Sequence, residues 1–189
     1  MKKLMIMLAA IAVGATVNAA AYSWSAPNGR LFDGQGTASA NRYAGTGYLF
    51  NVDTVSQAAL LTAFASDAGV ADTLRSALST STFSAGRASA SDNFTGPDAS
   101  FDAYFVVFGK DASGNDAMYI SDVVAANYQA VGTGEVEFGQ QNALSSAGFK
   151  DSAAGFAGAG WYAASVPEPT SGLLMLLGMA GLALRRRRA

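Results

Sequence analysis

The feature that most restricts the fold is an apolar run, FDAYFVVFG, at positions 101–109. From Ala103 onward both alternating sets of side chains are apolar, which in a strand means that both faces of the sheet are covered. The turn-forming residues KDASGND follow, and DAMYISDVV (116–124) then returns as a partner strand. The pattern predicts a central hairpin, with Phe105 and Val107 buried on the face that a helix covers.

Shorter patterns on both sides of this hairpin complete the expected fold. A capping box at residues 54–57 predicts a helix, whose apolar face holds Leu60, Leu61 and Phe64, and a second short helix is expected in residues 70–79. The polar stretch at 79–98 is interpreted as loop or irregular strand. Further strands are expected at residues 21–25, 42–52, 134–138 and 158–165. Together these elements predict an α+β fold: one small domain, mainly antiparallel β-sheet with one or two short helices.

The N-terminus has the layout of a secretory signal peptide. Lys2 and Lys3 precede an apolar stretch at residues 4–15, and small residues follow at Val17 and Ala19. About a dozen apolar residues are too few for an ordinary membrane span. We therefore expect residues 1–19 to be a signal peptide, cleaved between Ala19 and Ala20, with cleavage after Ala21 as the alternative.

The C-terminus combines a proline motif, an apolar run and a basic block. Residues 171–184 are uncharged and span about 21 Å as a helix, against about 30 Å of hydrocarbon, so they predict a marginal single-pass membrane helix. Arg185, Arg186, Arg187 and Arg188 would hold the C-terminus on the cytoplasmic side. Both ends then lie inside, and everything between them is delivered across the inner membrane.

Three features in order carry a resemblance to a known sorting signal: Val166-Pro167-Glu168-Pro169, the apolar run, and the four arginines. This segment resembles the PEP-CTERM sorting tail of Gram-negative bacteria. The resemblance implies recognition by an exosortase, a membrane-embedded enzyme that processes the chain near Pro-Glu-Pro. Together, the N-terminal pattern and this resemblance predict three parts: a signal peptide (1–19), an extracytoplasmic passenger domain (20–165) and a sorting tail (166–189). The prolines keep the motif extended and outside the membrane helix.

The composition of residues 20–166 narrows the chemistry. Six basic and thirteen acidic residues give this part a net charge of −7, which argues against nucleic acid or anionic lipid as its partner. The chain contains neither cysteine nor histidine. The usual zinc ligands and the Ser-His and Cys-His nucleophile systems are therefore absent, and we expect no cofactor, no metal and no enzymatic activity.

Three alternatives remain open at this point. Trp24, Tyr43, Tyr48, Trp161 and Tyr162 are candidates for a sugar-stacking platform, which would make the passenger a carbohydrate-binding module. Glu135 and Glu137 fall on one face of a predicted strand and are candidate carboxylates of a glycan hydrolase.

The third alternative concerns an ion. The oxygen-bearing side chains of residues 111–116 loosely resemble a calcium loop, but their spacing favours an ordinary hairpin turn.

These observations predict an exported cell-surface or extracellular-matrix protein with a membrane-anchored precursor. Its expected partners are signal peptidase, exosortase and, transiently, the inner membrane, with extracellular polysaccharide as a further candidate and no nucleic acid. The sequence points to export more strongly than to any activity of the passenger.

Overall fold

The computed structural model describes residues 20–26, 31, 42–66, 69–88, 93–111, 113–139 and 148–164. These ranges contain eleven strands, two α-helices and one 3₁₀ helix. The strands are β1 (Ala20–Ser25), β2 (Gly45–Asn51), β3 (Ser79–Ser84), β4 (Arg87–Ala88), β5 (Phe94–Gly96), β6 (Phe101–Lys110), β7 (Asp116–Ile120), β8 (Val124–Ala126), β9 (Thr133–Glu137), β10 (Lys150–Asp151) and β11 (Gly160–Ala163). The helices are α1 (Gln57–Ala65), α2 (Val70–Leu74) and the 3₁₀ helix (Ser152–Ala154).

The strands form two sheets that are joined at both ends. The smaller sheet has the order β5-β1-β9, and the larger has the order β10-β11-β7-β6-β2-β3-β4, with β8 paired to the first half of β6. One bridge between Ala26 and Ala88 joins β1 to β4, and another between Asn127 and Glu135 joins the end of β8 to β9. The pairs β1–β9 and β10–β11 are parallel, and the other pairs are antiparallel. The prediction of a mainly β domain with few helices is confirmed.

Two apolar clusters lie on opposite faces of the larger sheet. The inner cluster fills the space between the two sheets, and its aromatic members include Tyr22, Trp24, Phe83, Phe105, Phe138 and Trp161. The outer cluster lies between the larger sheet and α1, and its buried members are Phe50, Leu60, Leu61, Phe64, Tyr104, Val106, Met118, Ile120 and Tyr162.

Strand β6 is central and covered on both faces, as the sequence predicts. Phe105 and Val107 are fully buried, but they belong to the inner cluster. The face that α1 covers carries Tyr104 and Val106 instead. The predicted side was therefore wrong: when both parities of a strand are apolar, alternation shows that two faces are covered but not which face receives the helix.

Helix α1 begins two residues later than the capping-box pattern suggested. Ser56 is the N-cap, and its side chain accepts a hydrogen bond from the Ala59 N–H at 3.2 Å. Thr54 lies in the preceding turn, where its N–H donates to the Asn51 carbonyl. Helix α2 also ends earlier than expected, because the chain returns to the sheet when the Leu78 N–H donates to the Leu49 carbonyl.

The described residues of the polar stretch at 79–98 contain three strands, β3, β4 and β5, which agrees with the strand alternative left open for it. Strand β3 is rich in serine and threonine, but it pairs with β2 along five residues and places Phe83 in the inner cluster. Gly47 on β2 allows this packing, since a Cβ at that position would collide with the Phe83 ring. The absence of a side chain at Gly47 therefore leaves the space that the Phe83 ring occupies.

The return strand is also divided. It was predicted as one element over 116–124, but β7 ends at Ile120 and β8 begins at Val124. Between them the Ser121 hydroxyl accepts a hydrogen bond from the Phe105 N–H at 2.9 Å and donates to the Asp122 carbonyl. The side chain replaces a backbone partner, so the chain can bend while the Phe105 N–H stays satisfied.

The predicted signal peptide and the predicted membrane helix lie outside the described residues. Among the residues that the structure describes, no helix is long and apolar enough to cross a membrane.

Candidate functional site

The sorting residues named from sequence border the described domain. Val166, Pro167, Glu168 and Pro169, the four arginines at 185–188, and Ala19 lie outside the described residues. Ala20 is described: it is the first residue of β1 and pairs with Gly96 of β5.

The chain leaves the sheet through two alanines, Ala163 and Ala164, which we call the exit segment. Ala163 lies opposite Ala117 in the antiparallel pair with β7, and beside Asp151 in the parallel pair with β10. The Ala164 N–H donates to the Asp116 carbonyl at 2.8 Å. The sheet therefore holds the chain up to residue 164.

The two residues before the exit segment anchor the strand. Trp161 is 3% exposed, in the inner cluster, and Tyr162 is fully buried, in the outer cluster. The Tyr162 hydroxyl donates to the Gly158 carbonyl at 2.6 Å and accepts from the Ala157 N–H at 2.9 Å. Burial raises the pKa of Tyr162 above its ordinary value, so the hydroxyl stays a donor throughout the neutral range. Two large side chains thus fix β11 on both faces.

Lys150 ties the loop before β11 to the sheet. Its ammonium group donates to the carbonyls of Ala157, Gly158 and Ala159, at 2.8, 2.8 and 2.7 Å, and lies 5.4 Å from the centre of the Tyr162 ring. Three carbonyl acceptors satisfy all three donors of the ammonium group. The sequence did not predict this role, because the residues around Lys150 match neither a helix pattern nor a strand pattern.

The turn at residues 111–116 is organised by its own hydrogen bonds. One carboxylate oxygen of Asp111 accepts the Ser113 and Asn115 N–H groups, both at 2.8 Å, and the other accepts the Asn115 side-chain amide at 3.0 Å. Desolvation raises the pKa of Asp111, but these hydrogen bonds and one from Gly114 together outweigh it and lower the pKa below its ordinary value. The carboxylate that a calcium ion would need is already engaged by the turn.

The two glutamates proposed as hydrolase carboxylates lie side by side on β9. Glu135 and Glu137 are both exposed, and the buried Val136 between them points into the inner cluster. Glycosidases set two carboxyl groups facing one another across the scissile bond. Neighbours on one exposed strand face do not have that arrangement.

The aromatic residues proposed as a sugar platform are mostly internal. Trp24, Tyr43, Trp161 and Tyr162 are all buried, at 5% exposure or less. Tyr48 is half-buried on the outer face of β2, with its ring 6.1 Å from that of Phe108. The five residues therefore do not form one surface.

A groove of about 600 Å³ lies between the β2–α1 turn and α2. It is lined by residues 52–56 and Ala59 on one side and by Asp72, Thr73 and Ser76 on the other. Its two carboxylates, from Asp53 and Asp72, are exposed, and Asp72 is 3.8 Å from Arg75. Within the described part of the chain, no three His, Cys, Asp or Glu side chains are grouped to hold a metal ion.

Comparison with known proteins identifies the tail. The family model of the PEP-CTERM protein-sorting motif matches residues 165–188, which confirms the resemblance seen in the sequence. The match begins directly after Ala164, the last residue of the exit segment. No curated protein and no solved structure matches the chain. The class that these findings define is a protein with a PEP-CTERM sorting signal.

Proposed function

We propose that the chain is an exported cell-surface or extracellular-matrix protein whose folded passenger has no catalytic activity and is sorted by an exosortase. The observation that carries the proposal is the sorting-motif match at residues 165–188. In this proposal the exosortase recognises the tail, and this recognition directs the passenger domain to the cell exterior.

The pairing of the first described residues supports this assignment. Strand β1 begins at Ala20, one residue after the proposed signal-cleavage site, and its first residues pair with β5 and β9. Cleavage after Ala19 leaves these pairs intact, whereas cleavage after Ala21 would remove Ala20 and Ala21 together with their pairs to β5 and β9. In this proposal the passenger lies between a signal peptide at its N-terminal end and the sorting tail at its C-terminal end.

In this proposal the passenger works as a displayed or released structural domain. The signal peptidase acts at one end and the exosortase at the other, while residues 171–184 hold the precursor in the inner membrane and the arginines keep its C-terminus inside. The negative charge of the passenger, −7 for residues 20–166, keeps it soluble and away from anionic surfaces.

The test is mass spectrometry of both termini of the protein recovered from the exterior of an exosortase-containing Gram-negative host. The mature protein should begin at Ala20 and should lack Arg185–Arg188. The same chain in a host without exosortase should keep its C-terminal arginines. Extracellular copies that retain these arginines in the first host would contradict the proposal.

A second candidate function is binding of a neutral extracellular polysaccharide on the open part of the outer sheet face. Thr46 pairs with Thr82, and Tyr48 pairs with Thr80, so these side chains share that face with the half-buried Phe108 ring. The three threonines are exposed. Aromatic rings can stack on the apolar faces of sugars, and neighbouring hydroxyl groups can donate and accept hydrogen bonds with sugar hydroxyls.

Affinity electrophoresis in gels that contain a neutral glucan tests this candidate. Tyr48→Ala should remove any retardation, whereas Tyr128→Ala is the matched control, because Tyr128 is 37% exposed on the loop after β8. Equal mobility of both variants and the unchanged protein, with and without glucan, would reject polysaccharide binding at this face for that glucan.

A further inference from the structure

The exit segment connects the sheet directly to the sorting motif. The Ala164 N–H is hydrogen-bonded to Asp116, and the family match begins at the next residue, 165. Only Ser165 separates Ala164 from Val166, the first residue of the motif. Only one residue therefore lies between this sheet contact and the segment that a processing enzyme must bind.

The short connection sets how close the motif lies to the domain. Three fully extended residues span at most about 11 Å, which is the longest reach that the covalent chain allows from residue 164 to residue 167. A domain of about 145 residues has a radius of gyration of about 15 Å. Enzymes and receptors that bind an extended peptide contact several consecutive residues of it. The folded edge would therefore collide with an enzyme that encloses the motif and its flanking residues.

The structure offers a way to relieve this collision without unfolding. Ala163 and Ala164 are half-buried and small, so their release exposes little apolar surface. The preceding Trp161 and Tyr162 are buried in the two clusters, and the Tyr162 hydroxyl is hydrogen-bonded on its donor and acceptor sides. Separation of β11 from its neighbours β7 and β10 can therefore begin at the end of the strand and stop at Tyr162.

We infer that Ala163 and Ala164 belong to the substrate segment of the exosortase and leave the sheet when the enzyme binds, while Trp161 and Tyr162 stay in place. The inference rests on the proposed function. It adds that processing depends on a local opening of the passenger, and that the passenger remains folded while the opening occurs. The processing rate is then proportional to the fraction of chains in which the exit segment is open.

A disulfide across the exit segment tests this directly. Ala163 and Ala117 form a non-hydrogen-bonded antiparallel pair, since the adjacent Ala164 is hydrogen-bonded to Asp116. The Cα atoms of such pairs are about 4.5 Å apart, within the range that a disulfide spans. The chain has no cysteine, so Ala117→Cys with Ala163→Cys can form only this bridge within one molecule.

The experiment follows loss of the C-terminal arginines over time in the full chain, co-produced with an exosortase, with and without dithiothreitol. The bridged variant should keep its tail, and reduction should restore processing. The single variants Ala117→Cys and Ala163→Cys are the matched controls and should be processed like the unchanged chain. A six-residue Gly-Ser insertion between Ser165 and Val166 should restore processing of the bridged variant, because the motif can then enter the enzyme without opening the sheet.

The outcomes separate this inference from the proposed function. If the oxidised, bridged variant loses its tail as fast as the single variants, the exit segment need not open and the inference is wrong. If the insertion fails to restore processing of the bridged variant, the bridge acts by another route and the inference is again wrong. If the unchanged chain never loses its tail in the presence of exosortase, the proposed function itself fails.

Discussion

The inner and outer clusters share strand β6 but are assembled from different parts of the chain. The inner cluster gathers rings from Tyr22 near one end of the domain to Trp161 near the other. The outer cluster depends on α1, whose Leu60, Leu61 and Phe64 pack on neighbouring sheet residues. The inner cluster therefore joins the two sheets, whereas the outer cluster packs one helix against the larger sheet.

Replacing Phe105 by alanine should have the largest effect on stability. Its ring centre lies within 6 Å of those of Trp24, Phe83, Tyr119 and Phe138, at distances of 5.9, 5.3, 5.8 and 4.8 Å. Loss of the ring leaves a cavity that rigid neighbours cannot close, so the free energy of unfolding should fall by about 3–5 kcal/mol. Denaturant unfolding of residues 20–164 measures this. An unchanged midpoint would mean that the inner cluster does not carry the stability of the domain.

Leu60→Ala should cost less, about 2–3 kcal/mol, although Leu60 is also fully buried. Helix α1 lies at the surface and can shift toward the sheet, which reduces the cavity. Near-ultraviolet circular dichroism should keep most of its aromatic signal, because the inner rings do not move. A loss as large as that of Phe105→Ala, with collapse of the aromatic signal, would remove the distinction between the clusters.

Alkaline pH should weaken the inner cluster through its tyrosines. Burial raises the pKa of Tyr43 to about 12 and raises the pKa of Tyr119 further. An unfolded tyrosine ionises near pH 10, so the unfolded state releases protons first. Stability should therefore be complete below about pH 10 and should decline as the pH rises through about 12.

Denaturant midpoints at pH 7, 9 and 11 test this dependence, and Tyr43→Phe should make the decline shallower. Burial also raises the pKa of Tyr104, in the outer cluster, so Tyr104→Phe is the matched comparison there. Equal midpoints at pH 9 and 11 in the unchanged protein would show that these hydroxyls are accessible to ionisation while the domain stays folded.

Calcium should have the smallest effect, since the turn at residues 111–116 lies outside both clusters. The Asp111 carboxylate is engaged by Ser113 and Asn115, so the turn is complete without an ion. The melting temperature of residues 20–164 should be the same in calcium and in chelator. A rise of several degrees with calcium that disappears in Asp111→Ala with Asp116→Ala would identify the turn as an ion site.

The elements that could be predicted are those whose pattern is local. The run at 101–109 predicts a strand covered on both faces, and Phe64 follows Leu60 and Leu61 of α1 at helical spacing. Strands β3, β4 and β5 lie in the stretch for which loop and irregular strand were both left open, because its many serines and threonines suit either. Strands β3 and β5 form through pairing with β2 and β1, β4 pairs with β3, and Phe83 and Phe94 become buried.

The candidate site divides in the same way. The sorting motif is a linear signal, so Val166-Pro167-Glu168-Pro169 and the four arginines identify it without a fold. The aromatic platform was a matter of three-dimensional placement, and the structure buries four of its five residues. The Asp111 turn was recognised from its residue types, but only the geometry shows that its own N–H groups occupy the carboxylate.

The sequence by itself determined the sorting motif and the central strand, since short linear motifs and apolar runs involve only a few neighbouring residues. The tertiary structure alone decided which face of β6 meets α1, how two bridges join the sheets, and where the chain leaves the last strand. These outcomes depend on contacts between residues far apart in the chain, such as Asp116 with Ala164 and Ala26 with Ala88. No local pattern encodes such pairs, because each forms only when the rest of the sheet brings its two partners together.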